Sequence, residues 1–274
     1  MKTIALTGAA GSVGTGLRAP LLALGYRLLL LDIREITDCR EHEQARVVDC
    51  TDKDKLVEAF KGVDGIVHLS ACTTDAAWDQ QVKLSVEGCI AVFEAAREAG
   101  VPRIAYASSN HVVGLHPRVR DIDNQVQMRP DGRYGVGKAF GELMSSLYAY
   151  KFGLKILAIR IGNANDKPID RRRLGNWIWW KDLAQLISIG MEREDLVYEV
   201  VYGVSDTTRR QFDNSRAYAL GYRPEGRPDE HVDAVYAIDP PPVPGSEAAL
   251  ALRETTFGGD FSQWEFVGSP QRLY

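Results

Sequence analysis

The sequence predicts an α/β fold: a doubly wound parallel sheet covered by helices on both faces, with a small C-terminal lobe facing the substrate. Three observations predict it. Apolar runs of strand length alternate with helix-length segments as far as Arg160, and parallel strands need such crossover helices. Gly8, Gly11 and Gly14 stand between the first strand and the first helix. The second strand ends on an acid, Asp32. The last two together make the sheet Rossmann-type, since a glycine turn and a downstream acid are what a dinucleotide needs.

Lys2–Thr7 reads as the first strand, Val13–Leu24 as a helix, Arg27–Asp32 as the second strand and Ala45–Val48 as the third. Asp54–Phe60 is helical, Gly65–Leu69 is a buried strand, and Gln80–Ala99 is a long amphipathic helix stopped by Gly100. Arg103–Ser108 is the next strand, followed by a helix over Tyr134–Phe152 and a strand at Lys155–Arg160. Beyond it the alternation fails. Residues 163–180 hold Pro168, the run Arg171-Arg172-Arg173 and three tryptophans, which suits a substrate loop better than a core strand. Tyr198–Tyr202 reads as a late strand and Asp213–Leu220 as a short helix. The Pro- and Gly-rich tail from Asp239 carries no periodic signal. No linker interrupts the chain, so residues 1–274 are expected to form one domain with a substrate lobe built from its C-terminal part.

The loop Gly8-Ala9-Ala10-Gly11-Ser12-Val13-Gly14 has the chemistry of a pyrophosphate cradle. Glycine permits the tight turn and the close approach of backbone N–H groups, and the helix N-terminus adds a favourable dipole. A carboxylate at Asp32 accepts both ribose hydroxyls of NAD and repels the 2′-phosphate of NADP. Arg34, two residues on, works against that discrimination. NAD is the expected cofactor. Asp49 ends the third strand, either to contact adenine or as a surface turn acid. Leu69 ends the fourth strand at the edge where ligands of such sheets sit.

Tyr134 and Lys138 are four residues apart, on one face of a helix. Ser108 and Ser109 end the preceding strand at the same sheet edge. A phenol with a pKa near 10 is a poor base, and a neighbouring ammonium favours its ionised form. Lys138 can also bond the nicotinamide ribose. Such a set can take a proton from an alcohol as hydride leaves its carbon.

These residues together resemble the extended short-chain dehydrogenase/reductase superfamily, from Thr3 to about Tyr222. Ala107-Ser108-Ser109-Asn110-His111, the stretch from Arg129 to Lys138, Ile159-Arg160-Ile161-Gly162 and Gly203-Val204-Ser205-Asp206 are most similar to uronate dehydrogenases. The resemblance implies Tyr134 as general base, Lys138 as its activator and Ser109 as the partner serine. It implies Asn110 and His111 on the sugar hydroxyls, Thr73 against substrate and Arg172 on the sugar's anionic group. The implied reaction is oxidation of the C1 hemiacetal of a cyclic hexuronate to a lactone with NAD. Analogy with the superfamily adds a homo-oligomer.

Three positions depart from that pattern. Ser85-Val86-Glu87-Gly88-Cys89 stands where the superfamily carries an asparagine that bends the long helix. Asn163 replaces a serine that binds the carboxylate in uronate dehydrogenases. One arginine has become three. Because arginine forks also suit tetrahedral oxyanions, a 6-sulfonated hexose (sulfoquinovose) or a hexose 6-phosphate stands beside the hexuronate as candidate substrate. The bland reading of the run is a solvated loop paired with Asp166 and Asp170. Trp177, Trp179 and Trp180 either wall the pocket or pack the lobe. His68, in an apolar strand, reads as a core residue.

Apolar residues make up 45% of the 274, enough for a sizeable core, and the net charge of −4 argues against nucleic acid or an anionic membrane as partner. The cradle begins at residue 8, which leaves a signal peptide no room, so a cytoplasmic protein is expected. Four cysteines without CxxC spacing give no reason to expect a metal. Two other functions share this scaffold. A sugar-nucleotide epimerase with tightly held NAD would need a larger pocket than so short a C-terminal portion builds. A non-catalytic NAD sensor would have little reason to keep serine, tyrosine and lysine together.

Overall fold

The computed structural model describes all 274 residues. Seven parallel strands form one sheet in the order β3-β2-β1-β4-β5-β6-β9. They are β1 (Thr3–Thr7), β2 (Arg27–Asp32), β3 (Glu43–Val47), β4 (Gly65–His68), β5 (Arg103–Ser109), β6 (Lys155–Ile161) and β9 (Tyr198–Gly203). A separate parallel ribbon pairs β7 (Asn163–Ala164) with β8 (Trp177–Ile178). The order reverses direction at β1 and β4, and the crevice outside strand C-termini at such a switch point is where this architecture binds ligands.

Strand periodicity sorts the core into two layers. Ile4, Leu6, Leu28, Leu30, Ala105, Leu157 and Ile159 face one way, with Leu17 and Leu21 of α1 (Ser12–Ala23). Ala5, Leu29, Leu31, Ile104, Tyr106, Ile156 and Ala158 face the other. They pack on Leu56 and Phe60 of α2 (Lys53–Phe60), Phe93 of α4 (Gly88–Glu98) and Tyr148 of α5 (Arg133–Phe152). Alternate residues of one strand thus lie in different layers, as the pleat requires.

One helix was not expected. Trp180–Glu192 form a helix whose Leu183, Ala184, Leu186, Ile187 and Met191 complete the first layer beside α1. Its periodic face was hidden behind the tryptophan-rich segment. Gly16 of α1 lies so close that a Cβ there would meet the Trp180 ring at 2.6 Å. Trp180 serves this packing, and the indole N–H groups of Trp177 and Trp180 donate to Asn165 O (2.9 Å) and Asp166 Oδ1 (2.7 Å).

The long helix is also not uniform. It opens as α3 (Trp78–Gln81), widens to a π-helix over Val82–Glu87 and continues as α4. Ser85 sits in the widened turn. Its hydroxyl donates to Gln81 Oε1 (3.0 Å) and accepts from Cys72 N (3.3 Å). It thereby ties the bend to the loop after β4, and a π-bulge of this kind commonly marks a functional site. The tail returns over the sheet edge through four short helices, Val232–Ile238, Glu247–Leu250, Leu252–Thr255 and Asp260–Gln263. Phe257 joins Val112, Val113, Tyr202 and Phe212 in a third apolar cluster. No helix is long and apolar enough to cross a membrane.

Candidate active site

Two adjoining cavities run along the C-terminal edge of the sheet and share Gly8, Gly11, Leu69 and Thr73. One is lined further by Asp32, Arg34, Asp49 and Ser70. The other, of about 400 Å³, is lined by Ser12, Val13, Gly14, Ser109, His111, Tyr134, Lys138, Asn163 and Phe261.

The first half is built for a dinucleotide. Gly8 has φ of +70°, the left-handed region that glycine occupies freely, and a Cβ there would lie 2.9 Å from Ser70 N. A Cβ on Gly14 would lie 2.6 Å from Ala9 O. The cradle is therefore open only because side chains are absent, and the first amides of α1 face it without an acidic neighbour in the first turn. Asp32 is buried and locks the turn. Its carboxylate accepts from Ala10 N and Arg34 N, both at 3.0 Å. The Arg34 guanidinium lies 3.3 Å from the same carboxylate while remaining exposed. Asp49 bonds Thr51 through one oxygen, to both N and Oγ1 at 2.9 Å, so it is a turn acid that also lines the cavity. These residues fit NAD: a glycine-cleared turn for the pyrophosphate and an acid for the ribose.

The second half holds the reactive groups. Asp75 accepts from the Tyr134 amide at 3.2 Å and so fastens the first turn of α5, which carries both Tyr134 and Lys138. Lys138 is buried. Its ammonium donates to Ala107 O at 2.6 Å and stands 5.9 Å from the centre of the Tyr134 ring. Burial pulls its pKa down to about 8. Burial pushes the Tyr134 phenol up to about 12, against which the Ser109 hydroxyl works. The lowering expected from the neighbouring lysine is not among the influences on this phenol, where burial dominates. The ammonium is committed to a carbonyl, and desolvation of the phenolate outweighs it.

The two serines have different fates. Ser108 donates to the buried Glu142 at 2.5 Å and is not free for chemistry. Ser109, one residue on along β5, lines the same cavity as Ser108, and its oxygen accepts from His111 N at 3.2 Å. His111 lines the cavity edge-on to Tyr134, with ring centres 5.6 Å apart.

The arginine run separates cleanly. Arg171 pairs with Asp239 (3.1 Å) and Glu254 (2.9 Å), and Arg173 pairs with Asp170. Arg172 has no carboxylate partner and, like Asn110, does not line the cavity itself. Its Nε and Nη2 donate to Phe257 O at 3.1 and 2.8 Å, and burial pulls its pKa down to about 10. Asn110 is 1% exposed and lines no part of the cavity. With its amide oriented to satisfy both ends, it donates to Ile161 O (3.2 Å) and accepts from Arg172 Nη2 (2.9 Å). It is a support for Arg172. Asn163 lines the cavity with a buried Oδ1 that has no partner. His68 is a core residue whose Nδ1 bonds Thr7 Oγ1 at 2.8 Å.

Phe261 was missed because the tail has no periodic pattern. It stacks on His111 at 4.3 Å between ring centres. Asp131, 2.7 Å from His111 Nδ1, was missed because an acid just before a helix reads as a cap.

A dinucleotide cradle joined to a Ser-Tyr-Lys set defines an oxidoreductase that works with NAD on a CH–OH group. The chain belongs to the NAD dependent epimerase/dehydratase family, whose model matches residues 4–165. It is 37% identical to a uronate dehydrogenase of Pseudomonas syringae pv. tomato, over 80% of each chain. It is 32% identical to an NAD-dependent glucose-6-phosphate dehydrogenase of Haloferax volcanii, over 82% of this chain and 93% of that one. Among solved structures it resembles a mutant uronate dehydrogenase of Agrobacterium tumefaciens complexed with NAD. That match has a TM-score of 0.89 and 32% identity over 96% of this chain and 97% of the other.

Proposed function

We propose that this protein oxidises the C1 hemiacetal of an anionic hexose to its lactone, with a hexuronate as the first candidate. The observation that carries the reading is Arg172, a half-buried guanidinium without a carboxylate partner, held by Phe257 O and by Asn110, the residue between Ser109 and His111 of the cavity. A partly desolvated cation with no counter-charge in contact is completed by a ligand anion.

Tyr134 receives the C1 hydroxyl proton, Ser109 orients the reacting oxygen, and Lys138 holds positive charge beside the phenolate as it forms and reprotonates. Bound NAD supplies the hydride acceptor. Arg172 and Asn163 receive the anion, Thr73 and His111 the ring hydroxyls. Arg171 and Arg173 are committed to protein carboxylates. One available arginine fits a planar carboxylate better than a tetrahedral sulfonate or phosphate, which reverses the weight that the three-arginine run gave them. The second reading, a sulfonate or 6-phosphate, keeps one supporting observation, the 32% identity to a glucose-6-phosphate dehydrogenase; the unpartnered Asn163 Oδ1 accepts only and would meet a hydroxyl.

The test is NADH absorbance with glucuronate, galacturonate, sulfoquinovose, glucose 6-phosphate and glucose, each with NAD and NADP. A hexuronate is expected to be used best. Arg172→Ala is expected to lower kcat/KM for the anionic sugar by about 100-fold, equal to the roughly 2–3 kcal/mol of a charged hydrogen bond, and to leave neutral glucose nearly unchanged. No NADH from any of these sugars would sink the proposal.

The reading includes a homo-oligomer. Leu143, Leu147 and Tyr150 expose one apolar stripe on α5, and Ile90 is exposed on α4. Light scattering is expected to give a multiple of 30.4 kDa, and Leu147→Glu to reduce it. A wild-type monomer at micromolar concentration would end this part.

A further inference from the structure

Asp131 has a role that neither the cradle nor the Ser-Tyr-Lys set uses. Its side chain is wholly buried at the junction of three segments. A Cβ on Gly114 or Gly258 would fall 1.8 or 1.9 Å from its Oδ2, so only two glycines leave it room. Oδ2 lies 2.7 Å from His111 Nδ1. Oδ1 is buried and has no partner. A carboxylate oxygen left unbonded in the interior is costly, and an aspartate that served only to hold loops together would not need to be one. Polar groups placed at such cost cluster at functional sites.

A carboxylate accepts and does not donate, so it selects the Nδ1–H form of the ring it faces. Nε2 is then the unprotonated nitrogen. The ring cannot rotate away, because Phe261 stacks on it at 4.3 Å and Tyr134 lies edge-on at 5.6 Å. The His111 ring lines the cavity beside Ser109 and Tyr134.

We propose that Asp131 is a positioning residue: by holding His111 as the Nδ1–H tautomer, it presents Nε2 as a fixed acceptor for a sugar hydroxyl beside the reacting carbon. This rests on the sugar-oxidation reading above. Arg172 grips charge, whereas a neutral acceptor at a fixed point distinguishes which hydroxyls the sugar carries and where.

Long-range 15N–1H spectra of the histidine rings in the whole protein, with His111 assigned from His111→Gln, test the tautomer without any substrate. The wild type is expected to show Nδ1–H at pH 7.5. An Nε2–H ring or a doubly protonated ring there would overturn the proposal, whatever the sugar panel gives. Activity supplies the second arm. Asp131→Asn is expected to lower kcat/KM for the best sugar by roughly 10- to 100-fold, the range seen when a histidine loses its orienting partner, with NAD affinity unchanged. Glutamine at 111 carries an acceptor that needs no aspartate. In a His111→Gln background Asp131→Asn should therefore cost less than about twofold. Equal losses in both backgrounds would make Asp131 merely structural. Should Asp131→Asn not fold, the wild-type spectrum still decides.

Discussion

Tyr134→Phe is expected to lower kcat for sugar oxidation by about 100- to 10,000-fold, the contribution of a positioned proton acceptor, with NAD affinity within about threefold of wild type. The substitution removes only the hydroxyl. The ring's contacts with His111 and Phe261 survive, so the loss reads out chemistry and not packing. Its partner separates function from stability. Lys138 has an ordinary value of 10.5 and a folded value of about 8, with no carboxylate against it. Below pH 8 both folded and unfolded chains hold the proton, and the folded chain bears the full cost of a buried ammonium. That cost is roughly 3 kcal/mol from the gap between the two values. Between about 8 and 10.5 the unfolded chain binds the extra proton, so stability rises with pH through that window.

Lys138→Met removes the buried charge but strips Ala107 O of its donor, a loss of about 1–2 kcal/mol. The net expectation at pH 7 is a gain of roughly 1–2 kcal/mol together with loss of turnover, the gain vanishing between about pH 9 and 10 and turning into a loss of roughly 1–2 kcal/mol by about pH 10.5. Urea melts at pH 7 and pH 10 measure it. A destabilised Lys138→Met at pH 7 would show that the ammonium is better solvated than its burial implies. For catalysis the signs oppose each other. Turnover rises with pH as Tyr134 ionises, and falls as Lys138 loses its proton.

The part of the site carried by strand ends and one helix was legible in the sequence because its spacing is local. Gly8 to Gly14, Asp32, Ser109, and Tyr134 with Lys138 each follow from a register of two or 3.6 residues, and the sheet order then brings them to one edge. Arg172, singled out by its matched position, does prove to be the arginine of its run without a carboxylate partner. What stayed hidden depends on contacts across many residues. Arg171 is occupied by Asp239 and Glu254, and no pattern near residue 171 announces acids so far along. Phe261 reaches His111 from the tail, and Asn110 turns inward, where Ile161 O and Arg172 take the two ends of its amide. The helix over 180–192 was obscured for a different reason. Tryptophans and arginines crowd its start, while its own apolar face sits one turn further on. Pairing in the interior is a property of the fold, whereas motifs are a property of the segment.

Glu142→Ala is expected to be the most destabilising single change near the site, by about 3–5 kcal/mol, the cost of leaving a buried charge unpaired. Glu142 is wholly buried and takes both arms of Arg160, Nε and Nη2, at 2.9 Å, with Arg160 itself 2% exposed. Arg160 Nη1 donates to Tyr202 Oη at 3.3 Å, and that hydroxyl donates to Asp123 O at 2.8 Å. One carboxylate thus joins α5, β5, β6 and β9 beneath the reactive groups. Removing it frees Ser108 as well as Arg160. Ser109 follows Ser108 on the strand, so the bond from Ser108 to Glu142 anchors the orientation of the serine beside it. The melting temperature should fall by roughly 10 °C and kcat with it. Glu142→Leu combined with Arg160→Met should recover most of the stability, since the desolvated charge is gone, without recovering turnover, because Ser108 is still unheld. A single variant that melts within about 1 kcal/mol of wild type would mean that water reaches Arg160. A double variant with normal kcat would mean that Ser109 keeps its aim without this support.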